Sequence, residues 1–179
     1  MSEHPKSERD VLDRLLVRVP ALAGFLSTGV VRVPVGSPLR QRAVKLQVRR
    51  AFAAMARSDV EVVQRYYEPE AEVWMNGMVG VGIEGCYRGH DGVRALYADM
   101  DDAFGDWSWT VCSIADGGER IAVRTDFVGY GRTSGARTAL NGAGTAVKLS
   151  PRGLVAEQEW FIEEHGWPKA LAAAGLSDG

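Results

Sequence analysis

The sequence predicts an α+β fold, with helices gathered in the first hundred residues and a meander of long antiparallel strands after them. Three observations carry this. Apolar residues recur at spacings of three and four through most of residues 11–104, the period of a helix with one buried stripe. From Trp107 to Ile162 they alternate every second residue instead, the period of a strand. Turn-forming clusters such as Asp116-Gly117-Gly118 and Ser150-Pro151-Arg152-Gly153 divide that second part into lengths suited to hairpins.

Residues 1–9 are polar and expected to fray. Residues 11–35 carry a helical pattern broken near Pro20, read as one or two short helices ending before Pro34. A long helix follows over 39–57, with Val44, Val48, Ala51, Phe52 and Met55 as its stripe and Arg42, Lys45, Arg49 and Arg50 as a solvated basic face. Ser58-Asp59-Val60-Glu61 fits a capping box that starts a second helix, stopped by Pro69. A short strand over 71–75, continued to Asn76, puts Glu72, Trp74 and Asn76 on one face. The glycine-rich stretch 77–89 reads as a loop or irregular hairpin, and His90 caps a third helix with Val93, Leu96, Tyr97, Met100 and Phe104 inward. Strands are then expected near 107–114, 121–128, 137–149 and 154–162, with Gly142 and Gly144 marking a bulge in the third of them. Trp167-Pro168 opens a terminal helix. This divides the chain into a helical extension over 1–38 and a domain over 39–179.

With 179 residues, 46% hydrophobic and 25% charged, the composition is that of an ordinary globular chain. A formal net charge of -2 gives no reason to expect nucleic acid as partner. Cys86 and Cys112 lack metal-ligand spacing and only three histidines accompany them, so no protein metal site and no cofactor are expected. Asp13, Arg14 and Arg18 interrupt the first apolar run, which therefore does not read as a signal peptide, and no stretch has the length of a membrane span. The expectation is a cytoplasmic protein with reduced thiols and no stable membrane insertion. The apolar extension is expected to dock on the domain or on a second subunit, or to cover a pocket mouth.

The segment 121–128 sets two opposite charges in an otherwise apolar strand. Ile121, Val123, Thr125 and Phe127 share one face; Ala122, Arg124, Asp126 and Val128 share the other. On a wet face Arg124 and Asp126 form an ordinary surface pair. Facing a pocket, they become candidates for acid–base chemistry.

Three pieces, Tyr87-Arg88-Gly89-His90-Asp91-Gly92, residues 127–135, and Glu159-Trp160-Phe161, resemble the nuclear transport factor 2-like superfamily and its SnoaL-like branch over about residues 39–176. The resemblance implies a cone-shaped barrel: helices packed on a strongly curved, mostly antiparallel sheet whose concave face lines an apolar pocket. Within that superfamily the site pattern resembles limonene-1,2-epoxide hydrolase. Arg124-Thr125-Asp126 matches its Arg-x-Asp, Glu159-Trp160-Phe161 matches a second carboxylate before an aromatic pair, and Trp74-Met75-Asn76 stands where that family has Tyr-x-Asn. By that resemblance Asp126 is the acid, Glu159 the base on water, Arg124 the bridge between them and Asn76 an aid in orienting water. Trp74, Phe52, Tyr66, Met100 and Val128 then line the apolar substrate pocket. Epoxide opening needs an acid and a base on opposite sides of the substrate, and two carboxylates around one arginine can supply both.

The alternatives within the resemblance are a SnoaL-like polyketide cyclase or an isomerase. Thr145 stands at a cyclase's histidine position, and Phe52 at an isomerase's tyrosine. Outside enzymology, the cluster could be a structural ion network in a ligand-binding or dimeric interaction module. The expected partners are an apolar terpenoid- or polyketide-like molecule and a second copy of the chain, held through the sheet face that carries Val123, Phe127 and Trp160.

Overall fold

The computed structural model describes residues 9–78 and 82–177. Of the residues 1–9 expected to fray, 1–8 lie outside the described residues, and Arg9 is held by Asp59 at 2.6 Å and Glu61 at 2.8 Å. In chain order the elements are α1 (Val11–Arg18), α2 (Ala21–Arg32), α3 (Pro38–Ala56), α4 (Val60–Gln64), β1 (Tyr67–Met78), β2 (Ile83–Arg88), α5 (Gly89–Ala103), β3 (Phe104–Asp116), β4 (Arg120–Gly131), β5 (Arg137–Leu149), β6 (Val155–Phe161) and α6 (Gly166–Ala173). The strands form one curved sheet in the order β2-β1-β6-β5-β4-β3, antiparallel except where β1 runs parallel to β6. The sheet does not close on itself, so β2 and β3 are edges.

The helices begin where local chemistry dictates. Asp10 caps α1 by accepting from the Asp13 N–H, Ser37 caps α3 by accepting from the Arg40 N–H with Pro38 at the first position, and Asp59 caps α4 through the Val62 N–H. His90 does not cap α5. The N-cap is Arg88, with no side-chain bond, and the His90 ring lies 3.2 Å from the Tyr67 carbonyl. The region expected as a loop contains β2, paired with β1 from Glu72↔Arg88 to Met78↔Ile83. Positive φ at Gly77, Gly82 and Gly85 lets the tight irregular hairpin form among so many glycines. Phe104 ends the helix and opens β3, still buried.

The predicted bulge in β5 is present. Thr125 pairs with Ala143 and Phe127 with Leu140, leaving Asp126 opposite the extra residue. Gly142 there has φ +77°, and its N–H donates to Asp126 Oδ1 at 2.9 Å.

Helices cover both sheet faces. On the concave face α3 and α5 bury Val44, Phe52, Met55, Val93, Leu96 and Met100 against the strands. A run of rings, Phe52–Trp160–Trp109–Phe127–Phe104, crosses this core with centroids 4.6–6.0 Å apart. On the convex face α6 sets Ala170, Leu171 and Ala174 against Ala122 and Ala146. A Cβ on Gly144 would lie 2.7 Å from Ala170 Cβ, so glycine is what lets helix and sheet meet.

The extension packs on the domain. Asp13 of α1 is buried and accepts from Arg57 at 2.6 Å, while α2 lies along α3 and the β5–β6 turn, where Gln47 donates to Ser27 at 2.8 Å and Thr28 to the Arg152 carbonyl at 3.2 Å. Arg40, 1% exposed, latches the end of α2 to the sheet. Its guanidinium donates to both Asp116 oxygens at 2.7 and 3.0 Å, to the Gly118 carbonyl at 2.6 Å, and to the carbonyls of Val30, Val31 and Val33 at 3.1–3.3 Å. The Val30 carbonyl also accepts from the Val33 N–H at 3.2 Å, whereas those of Val31 and Val33 are chain-end carbonyls that Arg40 supplies with a donor.

Candidate functional site

The cone holds an apolar cavity of about 70 Å³ between α3 and the concave face. Val44, Val48, Phe52 and Met55 form its helical wall, with Ile121, Val123 and Val147 opposite. Val30 and Val31 of α2 also line it, so the extension supplies part of the pocket wall.

Among the described residues the polar groups that line it are neutral side chains. Tyr67 donates to Gln158 Oε1, Gln158 Nε2 donates to Thr145 Oγ1 at 3.2 Å, and the Thr145 hydroxyl donates to the Glu159 carbonyl at 3.0 Å. The chain therefore runs from the cavity wall into the sheet backbone. Burial pushes the Tyr67 phenol far above its ordinary range and raises that of Tyr66 as well, so both remain protonated donors at any physiological pH. Beside Tyr67 lies a second void of about 20 Å³, bounded by Met100, Trp107, Trp160 and Tyr97. The Tyr97 hydroxyl is buried there without a hydrogen-bond partner among the described residues, and burial holds its pKa well above normal. An unmatched buried donor of this kind costs about 1–3 kcal/mol.

The expected catalytic cluster lies on the other face. Arg124 and Asn76 are exposed, and Asp126, Glu159 and Val128 are half-buried on the convex side. Trp74 is 41% exposed on the same side. Two contacts do form there: Asn76 Nδ2 donates to Glu159 Oε1 at 3.2 Å, and Asp126 holds the bulge at Gly142. Among the described residues Arg124 makes no ion pair with either carboxylate, so it does not bridge them. Partial burial, and after it the Asp126 carboxylate, raises the pKa of the neighbouring Cys112 thiol.

The reason is strand parity. Val123, Thr125, Phe127 and Trp160 are at most 2% exposed, packed beneath α3 and α5. They face the concave side, not a second subunit, which corrects the expected dimer face. One residue of parity exchanges every side chain between the faces of a sheet, so placing this apolar row inside necessarily turns Arg124, Asp126 and Glu159 out. Of the expected pocket residues, Phe52 and Tyr66 line the main cavity and Met100 the smaller void; Trp74 and Val128 line neither. From the sequence Tyr97 is expected inward and Thr145 stands at a cyclase's histidine position, but Tyr67 and Gln158 are not anticipated as interior polar groups. Gln158 shares its parity with Trp160, and that signal was available in the sequence.

Comparison with known proteins fixes the lineage. The family model of the SnoaL-like domain matches residues 48–150, more than half of the chain. The chain belongs to the SnoaL-like domain family. Its fold is that of the nuclear transport factor 2-like superfamily. An NTF2-like protein of unknown function from Burkholderia pseudomallei K96243 is 19% identical with a TM-score of 0.60, over 73% of this chain and 95% of that one. TerC, crystallised with polyporic acid, is 17% identical with a TM-score of 0.58, over 70% and 95%. SalBIII, an epoxide hydrolase/cyclase-like enzyme in pyran ring formation in the polyether salinomycin, is 14% identical with a TM-score of 0.54, over 68% and 91%. At such identities the likeness is one of fold. No curated protein sequence matches the chain. Among the described residues no group of three or more His, Cys, Asp or Glu side chains could hold a metal ion.

Proposed function

We propose that this SnoaL-like domain binds an apolar small molecule inside its cone and presents the Tyr67–Gln158 pair to a single oxygen-bearing group of that molecule. The observation that carries this reading is an apolar cavity whose polar wall is neutral and points inward from the sheet. A ligand carbonyl or ether oxygen can accept from Tyr67 in place of Gln158, and burial keeps that donor protonated. TerC's structure with polyporic acid, a small organic ligand, agrees with binding of this general kind in a relative of the same fold.

The cavity of about 70 Å³ is small beside the roughly 300–1,000 Å³ of most ligand sites. A terpenoid- or polyketide-sized ligand therefore enters with outward movement of α2, whose Val30 and Val31 form part of the wall. Epoxide opening by Asp126 and Glu159 is the weaker reading. It requires both carboxylates to flank one substrate, and their convex-face positions give it no support. A reaction in the cone, if the domain catalyses one, rests on confinement of the substrate and hydrogen-bond donation from Tyr67.

The test is a thermal-shift screen of cyclic ketones, ethers and epoxides, with product analysis of every epoxide. A ligand at a hundred times its Kd adds about 2.7 kcal/mol, which raises the Tm of a chain this size by about 5–10 °C. Tyr67→Phe is expected to weaken the ketone while leaving its parent hydrocarbon unchanged. Epoxide turnover that Asp126→Asn abolishes would overturn this reading in favour of carboxylate catalysis.

A further inference from the structure

The cations of α3 stand beside a larger space outside the cone. Between α3 and the free edge of β3 runs a groove of about 570 Å³, a size ordinary for small-molecule sites. Val35, Val44, Val111 and Ile114 supply its apolar surface. Lys45 and Arg49, one helical turn apart, stand on one side. Neither has a hydrogen-bond or ion-pair partner among the described residues. Asp116, the one carboxylate that lines the groove among the described residues, is already engaged by Arg40 and by the Gly118 N–H, so it does not neutralise them.

The opposite wall is equally specific. The β3–β4 register shifts between Val111 and Ser113, a bulge that alters the alternation of side chains just where Cys112 and Ser113 line the groove. As an edge strand, β3 also leaves backbone N–H groups unused by the sheet. Apolar surface, two unpaired cations and the Ser113 hydroxyl thus line one space, while the Cys112 thiol is engaged by the Thr110 carbonyl.

We propose that the α3–β3 groove binds a small amphipathic anion, a carboxylate on an apolar body, with its charge between Lys45 and Arg49 and its body against Val35, Val44, Val111 and Ile114. The site is separate from the cone and does not rest on the cone-ligand reading. The cavities share only Val44, whose side chain forms part of both walls.

Isothermal titration of the full chain with decanoate, below its micellar concentration, tests the proposal. Decanol and decyltrimethylammonium serve as charge controls. Decanoate is expected to bind one to one, more weakly as salt rises, and the Lys45→Ala/Arg49→Ala double variant is expected to weaken it about tenfold. Tyr67→Phe should leave that affinity unchanged, because the cone is not the site. Absence of decanoate binding at millimolar concentration overturns the proposal, as does equal binding of the alcohol. Decanoate affinity that the double variant leaves intact, or that Tyr67→Phe alters, overturns it too.

Discussion

Replacing Arg40 with alanine should be among the most damaging single changes available in this chain. The side chain is buried, and its five donors reach a carboxylate, the Gly118 carbonyl and three carbonyls at the end of α2. Alanine removes all of these at once. Asp116 keeps the Gly118 N–H at 2.9 Å but loses its counter-charge in a largely buried place. Breaking a buried ion pair from one side costs about 3–5 kcal/mol. The orphaned carbonyls add to this only as far as water fails to reach them, so about 4 kcal/mol is the working figure. At roughly 2–4 °C per kcal/mol for a chain of this length, the Tm should fall by about 8–16 °C. Urea unfolding gives the free energy, and amide exchange locates the loss, with the end of α2 and the β3–β4 turn losing protection first. Arg40→Lys should recover little, since one ammonium cannot replace a planar fork of five donors. A loss below about 1 kcal/mol for Arg40→Ala would refute the view that this residue fastens α2 to the sheet.

Other changes separate the two faces of the sheet. Gly144→Val forces a side chain into space where even a Cβ would meet Ala170 Cβ and the Gly166 carbonyl at 2.7 Å, so α6 must lift; calorimetry should register a loss of about 2–4 kcal/mol. Asp126→Asn keeps an oxygen for the Gly142 N–H and should change stability by less than about 1 kcal/mol, whereas Asp126→Leu should lose about 1–3 kcal/mol, both read by urea unfolding. Acid should weaken the junction of α1 and α4. Burial works to raise the Asp59 pKa, but hydrogen bonds from Arg9 and the Val62 N–H outweigh it and hold the carboxyl below its ordinary value. A depressed carboxylate contributes stability above its unfolded pKa and loses it as pH falls through the folded one, so Asp59→Asn should flatten the stability profile below about pH 4.

Much of the fold was legible because periodicity and turn chemistry are local. Pro20 and Pro34 delimit the two helices of the extension, and Asp116-Gly117-Gly118 turns β3 into β4. The double glycine of β5 marked the bulge that Gly142 makes. Strand β2 was hidden because glycine-rich sequence disfavours strand by propensity, and only pairing with β1 over Glu72–Met75 and at Met78 sustains it. The face of the sheet was a different kind of question. Val123-Arg124-Thr125-Asp126-Phe127 alternates cleanly, and the apolar row alone argues for the interior. The match to an Arg-x-Asp site argued for the reverse, with the apolar row assigned to a dimer face. Burial decided between them: two helices already cover the concave side, so the apolar row has its partners within one chain. Tyr67 was passed over because it sits where helix was expected to end, while Tyr97 counted as ordinary core.

Orientation of β4 is the claim on which the site depends, and thiol accessibility reads it directly. In a background with Cys86 and Cys112 replaced by serine, cysteine is introduced singly at position 124 and at position 125, and native labelling by a water-soluble maleimide is timed. The account predicts rapid labelling at 124 and protection at 125 until the protein unfolds. Protection at 124 with rapid labelling at 125 would contradict it, returning Arg124 and Asp126 to the pocket.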